Sequence, residues 1–158
     1  LEALGIEVTQ LTEHFTLAEF TDSQTAARKG IPNVPPAGSP ERKNLQRTAE
    51  VMEKVRTLLG DKPVLVSSGY RSPAVNAAVG GSKSSAHMSG LAVDFSCPGF
   101  GTPKVICKKL EPQMKELGID QLIHEYDTWV HMGLNGPGTD PRHMALTIDN
   151  KGTRHGFA

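Results

Sequence analysis

Along this chain the spacing of apolar positions changes period several times, and each change predicts an element. Leu45, Ala49, Met52, Val55 and Leu59 recur at steps of three and four, the apolar stripe of a helix that Ser39-Pro40-Glu41 starts and Gly60 closes. It is the longest helix expected, and its charged residues form a solvated face. Further on the period drops to two. Leu91, Val93 and Phe95 alternate with Ala92, Asp94 and Ser96, and Val130, Met132 and Leu134 alternate with Trp129, His131 and Gly133. Both runs read as strands that send large side chains into a core and turn Asp94 and His131 to the opposite face.

The remaining elements follow from caps and breakers. Thr16 with Glu19 is a capping box, so a helix is expected from there to about Arg28, ended by Gly30. The proline-rich Ile31 to Pro36 cannot be helical and reads as an extended surface connector. Lys62 to Ser68 predicts a buried strand that delivers Gly69-Tyr70-Arg71-Ser72 at its end, and Ser72-Pro73 caps a short helix through Val79. The Gly- and Ser-rich segment Gly80 to Ser84 follows. Thr102-Pro103 starts another helix with Val105, Ile106 and Leu110 inward, which Pro112 kinks or splits and Gly118 ends. Gln121 to Tyr126 and Trp129 to Leu134 form an antiparallel hairpin on which Gln121, Ile123 and Glu125 share a face. Met144 to Ile148 is a candidate last strand. Together these predict an α+β fold in which a small antiparallel sheet is covered by helices on one face.

Composition narrows the function classes. The chain has 158 residues, enough for one domain with its own core. Lys plus Arg, at 17, equals Asp plus Glu, at 17, so no basic surplus draws it to nucleic acid or an anionic bilayer. No apolar run is long enough to span a membrane. Residues 1–10 carry no signal-peptide pattern and are expected to be leader or cloning remnant without fixed structure, ahead of a catalytic domain over 11–158. Cys97 and Cys107 could form a disulfide by their separation but fit no Cys-x-x-Cys pattern, and they read as packing residues.

The candidate chemistry lies in Ser84 to Asp94. His87 and Asp94 stand on either side of a Ser-Gly turn that opens into a strand, and His131 arrives on a second strand. Two neutral imidazoles and a carboxylate are a catalytic zinc donor set, because such sites keep a fourth position open, whereas structural zinc is closed by four ligands rich in Cys. Zn²⁺ is therefore the cofactor expected, on His87, Asp94 and His131. His124 faces the apolar side as a packed histidine, and His14, His143 and His155 show no ligand pattern.

These residues carry a family resemblance. Ser85-x-His87-x-x-Gly90-x-Ala92-x-Asp94, followed by Trp129-Val130-His131, resembles the zinc D-alanyl-D-alanine carboxypeptidases and related phage endolysin-like and bacterial peptidoglycan endopeptidases, whose superfamily includes the hedgehog signalling domain. Ser68 to Pro73 and Asp120 to Glu125 also match the family's pattern, so the resemblance runs from about Phe15 to Leu134. It implies a metallopeptidase acting on peptidoglycan stem peptides in the periplasm or cell wall, and a monomer is expected. Glu125 is the candidate catalytic base, Arg71 a catalytic and substrate-binding residue, and Ser85 a substrate contact. A structural reading stands beside each: a cross-strand salt bridge or a hydrogen bond to a ligand histidine for Glu125, an ion pair for Arg71, a turn-holding hydroxyl for Ser85. Many relatives carry His-x-His at the last ligand, and here Trp129 takes the first of those positions. A zinc-bearing recognition domain that binds peptide without turnover is the alternative.

Overall fold

The computed structural model describes residues 9–158, so residues 1–8 of the expected leader lie outside the described residues. Thr9 already belongs to the fold, since its carbonyl accepts the Leu17 amide at 2.9 Å, and Gln10 bridges to Thr16. The Thr16 and Glu19 capping box forms as expected, but α1 is short, Leu17–Thr21, and α2, Gln24–Lys29, starts afresh. Two causes are visible. The Thr21 hydroxyl bonds back to the Leu17 carbonyl, and Ser23 caps Ala26, offering the backbone a second helix start. The break leaves the Phe20 carbonyl free to accept the Tyr70 amide at 2.7 Å.

Helix α3, Pro40–Leu58, buries Leu45, Ala49, Met52 and Val55 as its stripe required. Strand β1 is Leu65–Ser68, and the expectation of a buried strand there is corrected: it is the edge of the sheet, with Leu65 54% exposed. Helix α4 (Pro73–Ala78), strand β2 (Ala92–Ser96) and helix α5 (Pro103–Leu110) follow. On α5 the buried residues are Ile106, Cys107 and Leu110, while Val105 is exposed, contrary to its expected inward place. Pro112 splits the helix: a 3-10 turn over Glu111–Gln113 leads into α6, Met114–Leu117, which Gly118 ends with φ +71°.

The hairpin is β3 (Ile119–Glu125) and β4 (Trp129–Leu134), and two more strands follow, β5 (Met144–Asp149) and β6 (Gly152–His155). Sheet order is β1-β2-β4-β3-β5-β6, antiparallel throughout except for the parallel pair β3 and β5. Met144 to Ile148 is thus a strand but not the last one. Val93, Phe95, Val130, Met132, Ile119 and Leu122 pack with α3, α5 and α6 on one face. Ile119 and Leu122 both reach that core because the register shifts between Ile119 and Gln121, a bulge at Asp120. Cys97 and Cys107 are free thiols buried in the core. Among the described residues no helix is long and apolar enough to cross a membrane.

Candidate metal centre

The face opposite the core carries the expected donors. Asp94 on β2 and His131 on β4 are direct cross-strand partners, so their side chains rise side by side, and His131 Nδ1 lies 2.8 Å from Asp94 Oδ1. His87 comes from the connection before β2. A one-turn 3-10 helix, Ala86–Ser89, holds it, capped by the Ser85 hydroxyl accepting the His87 amide and ended by Gly90 in the left-handed region. The His87 ring is buried, with Nδ1 2.7 Å from the Gly69 carbonyl. A carbonyl only accepts, so Nδ1 donates to it, and Nε2 is the ring nitrogen turned towards Asp94 Oδ2, 3.4 Å away. The two imidazoles meet edge to face with centroids 5.2 Å apart.

One donor atom from each of His87, Asp94 and His131 lies within 4.8 Å of the others. Donors about 2 Å from a tetrahedral ion stand about 3.3 Å apart. His87 Nε2 stands 3.4 Å from Asp94 Oδ2 and His131 Nδ1 2.8 Å from the other oxygen, Oδ1, so the three donors already crowd one small space of the size an ion needs. Two imidazoles, one carboxylate and no thiolate fit zinc with a position left for substrate or water. Burial alone would raise the Asp94 pKa, but hydrogen bonds and charge from His131 and His87 outweigh it and hold the carboxyl well below the usual carboxylate range. The carboxylate is therefore in its metal-binding form.

Arg71 and Glu125 flank the trio. Arg71 Nη2 is 3.8 Å from Asp94 Oδ2, while Nε donates to Ser68 Oγ at 3.3 Å and Nη1 to Asn76 Oδ1 at 3.2 Å. Uncharged partners thus fix the guanidinium while its charge faces the centre. Glu125 lies on the site face of β3, two positions beyond Ile123, the partner of His131. Partial burial pushes its pKa up, His131 opposes this, and the negative Asp94 adds to it. The Trp129 indole N–H is shielded from solvent with no hydrogen-bond partner among the described residues. It still stands near enough to its cross-strand neighbour Glu125 to favour the charged carboxylate.

Ser85 does hold the turn, as the structural reading had it, and it also lines a pocket beside His131. His124 is a satisfied histidine, 2.8 Å from Asp127 Oδ1, and His14 pairs with Glu53 at 2.7 Å, both away from the centre. Sequence reasoning missed three supports. Asn33, inside the supposed surface connector, is buried and clamps the Thr21 and Tyr70 carbonyls and the Ser72 amide. Asn76 holds Arg71 and the Ser82 carbonyl. Thr48 on α3 donates to the Gly90 carbonyl at 2.7 Å. No local pattern marks a polar residue for burial by partners far away in the chain.

Residues 13–133 match the family model described as Peptidase M15. Over 60 residues the chain is 38% identical to the zinc D-Ala-D-Ala carboxypeptidase of Streptomyces albus G, a match covering 38% of this chain and 24% of that protein. The chain therefore spans about a quarter of that curated relative's length.

Proposed function

Since this chain belongs to the peptidase M15 family, we propose that it is a zinc peptidase cleaving amide bonds in peptidoglycan stem peptides, as a carboxypeptidase or an endopeptidase. The observation that carries this reading is the convergence of His87, Asp94 and His131, with the half-buried Glu125 on the same face. These three side chains are the proposed zinc ligands. The ion, when bound, supplies a Lewis acid that polarises the scissile carbonyl and acidifies water.

The protein's own residues supply the rest. Glu125 takes the proton of the attacking water and returns it to the leaving nitrogen, and its raised pKa suits a group that must serve as base and then acid. Arg71, held by Ser68 and Asn76, offers its guanidinium to a substrate carboxylate or to the oxygen gaining charge. Ser85 accepts the His87 amide through Oγ, so its O–H remains able to donate to a peptide carbonyl. The similarity to a zinc D-Ala-D-Ala carboxypeptidase supports the proposed stem-peptide substrate, and with that substrate the proposed site of action is the periplasm or cell wall. We propose a monomer.

The test is digestion of purified peptidoglycan by the zinc-loaded protein and its Glu125→Gln variant, with products identified by mass spectrometry. Free D-Ala identifies a carboxypeptidase, and cut stems or cross-links an endopeptidase. The variant should retain its zinc and lose at least about a hundredfold in rate. Full activity in the variant overturns the role of Glu125, and a zinc-loaded protein that binds stem peptide without cutting it is a recognition domain.

A further inference from the structure

A cavity of about 410 Å³ opens beside His131, and the proposed mechanism makes no use of most of its wall. It is lined by Ser82, Ser84 and Ser85 from the loop before His87, by Gln121 on β3, by Gly133 on β4 and by Arg142 from the connection to β5. Gly133 is part of that wall, and a Cβ there would stand 3.6 Å from His131 Nε2, so the missing side chain keeps space open next to a proposed zinc ligand. A second cavity, of about 380 Å³, includes Arg71, Ser67 and Ser68. In the sheet order β1-β2-β4-β3 the two cavities lie on opposite sides of Asp94.

The lining beside His131 is rich in donors. Its one acid, Asp120, is already taken, because Oδ1 accepts the Arg142 amide at 2.7 Å while both oxygens accept the guanidinium Nε and Oδ2 accepts Nη2. That pairing anchors Arg142 and uses Nε and Nη2, leaving the Nη1 end of the fork for a ligand. The Ser82 and Ser84 hydroxyls bond each other and Ser82 Oγ also accepts the Ser84 amide, which uses one of the two hydroxyl protons and leaves the other to donate to a ligand. Hydroxyls, an amide and a guanidinium end facing one space recognise an acceptor with negative charge. Arg142 also lies beyond residues 13–133, so this element belongs to the chain outside the family match.

Resting on the peptidase reading above, we infer that this cavity is a second substrate subsite, which takes a carboxylate-bearing residue of the peptide on the side of the centre away from Arg71. Arg142 is its charge-selecting residue and Gly133 gives it depth.

Calorimetry on zinc-loaded Glu125→Gln protein, chosen so that peptide is not consumed, tests this. The probes are a stem pentapeptide with a free carboxylate on its second residue and the same peptide with that carboxyl amidated. The acid form should bind about tenfold tighter, the worth of one charge-assisted contact. Adding Arg142→Gln should bring the ratio to about one, and adding Gly133→Ala should weaken both peptides, with zinc content measured in each variant. A ratio near one before either substitution, a ratio untouched by Arg142→Gln, or no binding of either peptide overturns the subsite. Hydrolysis by the unsubstituted protein is scored separately. Cleavage with a ratio of one removes the subsite alone, and a ratio of ten without cleavage removes the peptidase reading alone.

Discussion

Gly90 and Gly118 provide a matched pair of substitutions that isolates how the His87 turn is fixed. Each ends a helical segment in the left-handed region, at φ +76° and +71°, so each loses similar conformational energy on replacement by Ala, about 1–2 kcal/mol. Around Gly118 an added Cβ meets nothing within 4 Å. Around Gly90 it would lie 2.5 Å from the Glu41 carbonyl oxygen and 3.1 Å from the Leu45 amide nitrogen, both backbone atoms of α3 that cannot turn aside. Relief must displace the turn, adding an overpacking cost of about 1–3 kcal/mol, and it endangers the buried Thr48 to Gly90 hydrogen bond, worth about 1 kcal/mol. Gly118→Ala should therefore lower Tm by a few degrees and Gly90→Ala by about 10 °C or more. Thermal unfolding by circular dichroism measures both, and zinc titration of the folded variants should find weakened affinity in Gly90→Ala alone. Equal losses of stability would refute the claim that α3 sets the position of His87.

Two further outcomes follow from buried titratable groups. Burial, aided by Glu111, pushes the Cys107 thiol up to about 12, and Cys97 is equally enclosed. A thiol reagent at neutral pH should label neither cysteine in the folded protein and both after denaturation, and rapid labelling of the native state would contradict the packing. Glu125 has its folded pKa raised by burial, so its contribution to stability is intact below the ordinary glutamate value and is lost as pH rises through the folded pKa. Glu125→Gln should accordingly raise the Tm of metal-free protein at about pH 7 and leave it unchanged near about pH 3.5, and a gain of the same size at both would refute the assignment.

The parts of the fold legible in the sequence are those decided by local periodicity. The α3 stripe, the Ser72 cap, the split at Pro112 and the alternation of β2 and β4 all lie where they were expected. What escaped depends on contacts distant in sequence. Gly152 to His155 shows no alternation and is exposed throughout, so β6 is a strand only because Leu146 to Asp149 offers it an edge. The bulge at Asp120 has no mark in the sequence, since its acid is needed only once Arg142 folds back on it. The parallel pairing of β5 with β3 depends likewise on the path of residues 135–143. The second helix start at Ser23 accompanies a break whose Phe20 carbonyl is taken by the Tyr70 amide, a partner far along the chain.

The same distinction runs through the candidate centre and explains why its donors differ in robustness. Val93 pairs with Met132 and Phe95 with Val130, and these four side chains are buried in the core. A slip of one residue would turn them to solvent and drive Asp94 and His131 into the helices, so hydrophobic packing on one face fixes the position of two donors on the other. His87 has no such register. Its place depends on the Gly69 carbonyl, the Ser85 cap and the backbone contact of Gly90 with α3. The β1 end that supplies Gly69 is itself held by Asn33 through the Tyr70 carbonyl, which makes the proline-rich connector part of the support for a proposed ligand. Changes in the sheet core should therefore lower stability and zinc binding together. Changes at Gly90, Thr48 or Asn33 should weaken zinc binding out of proportion to their cost in stability.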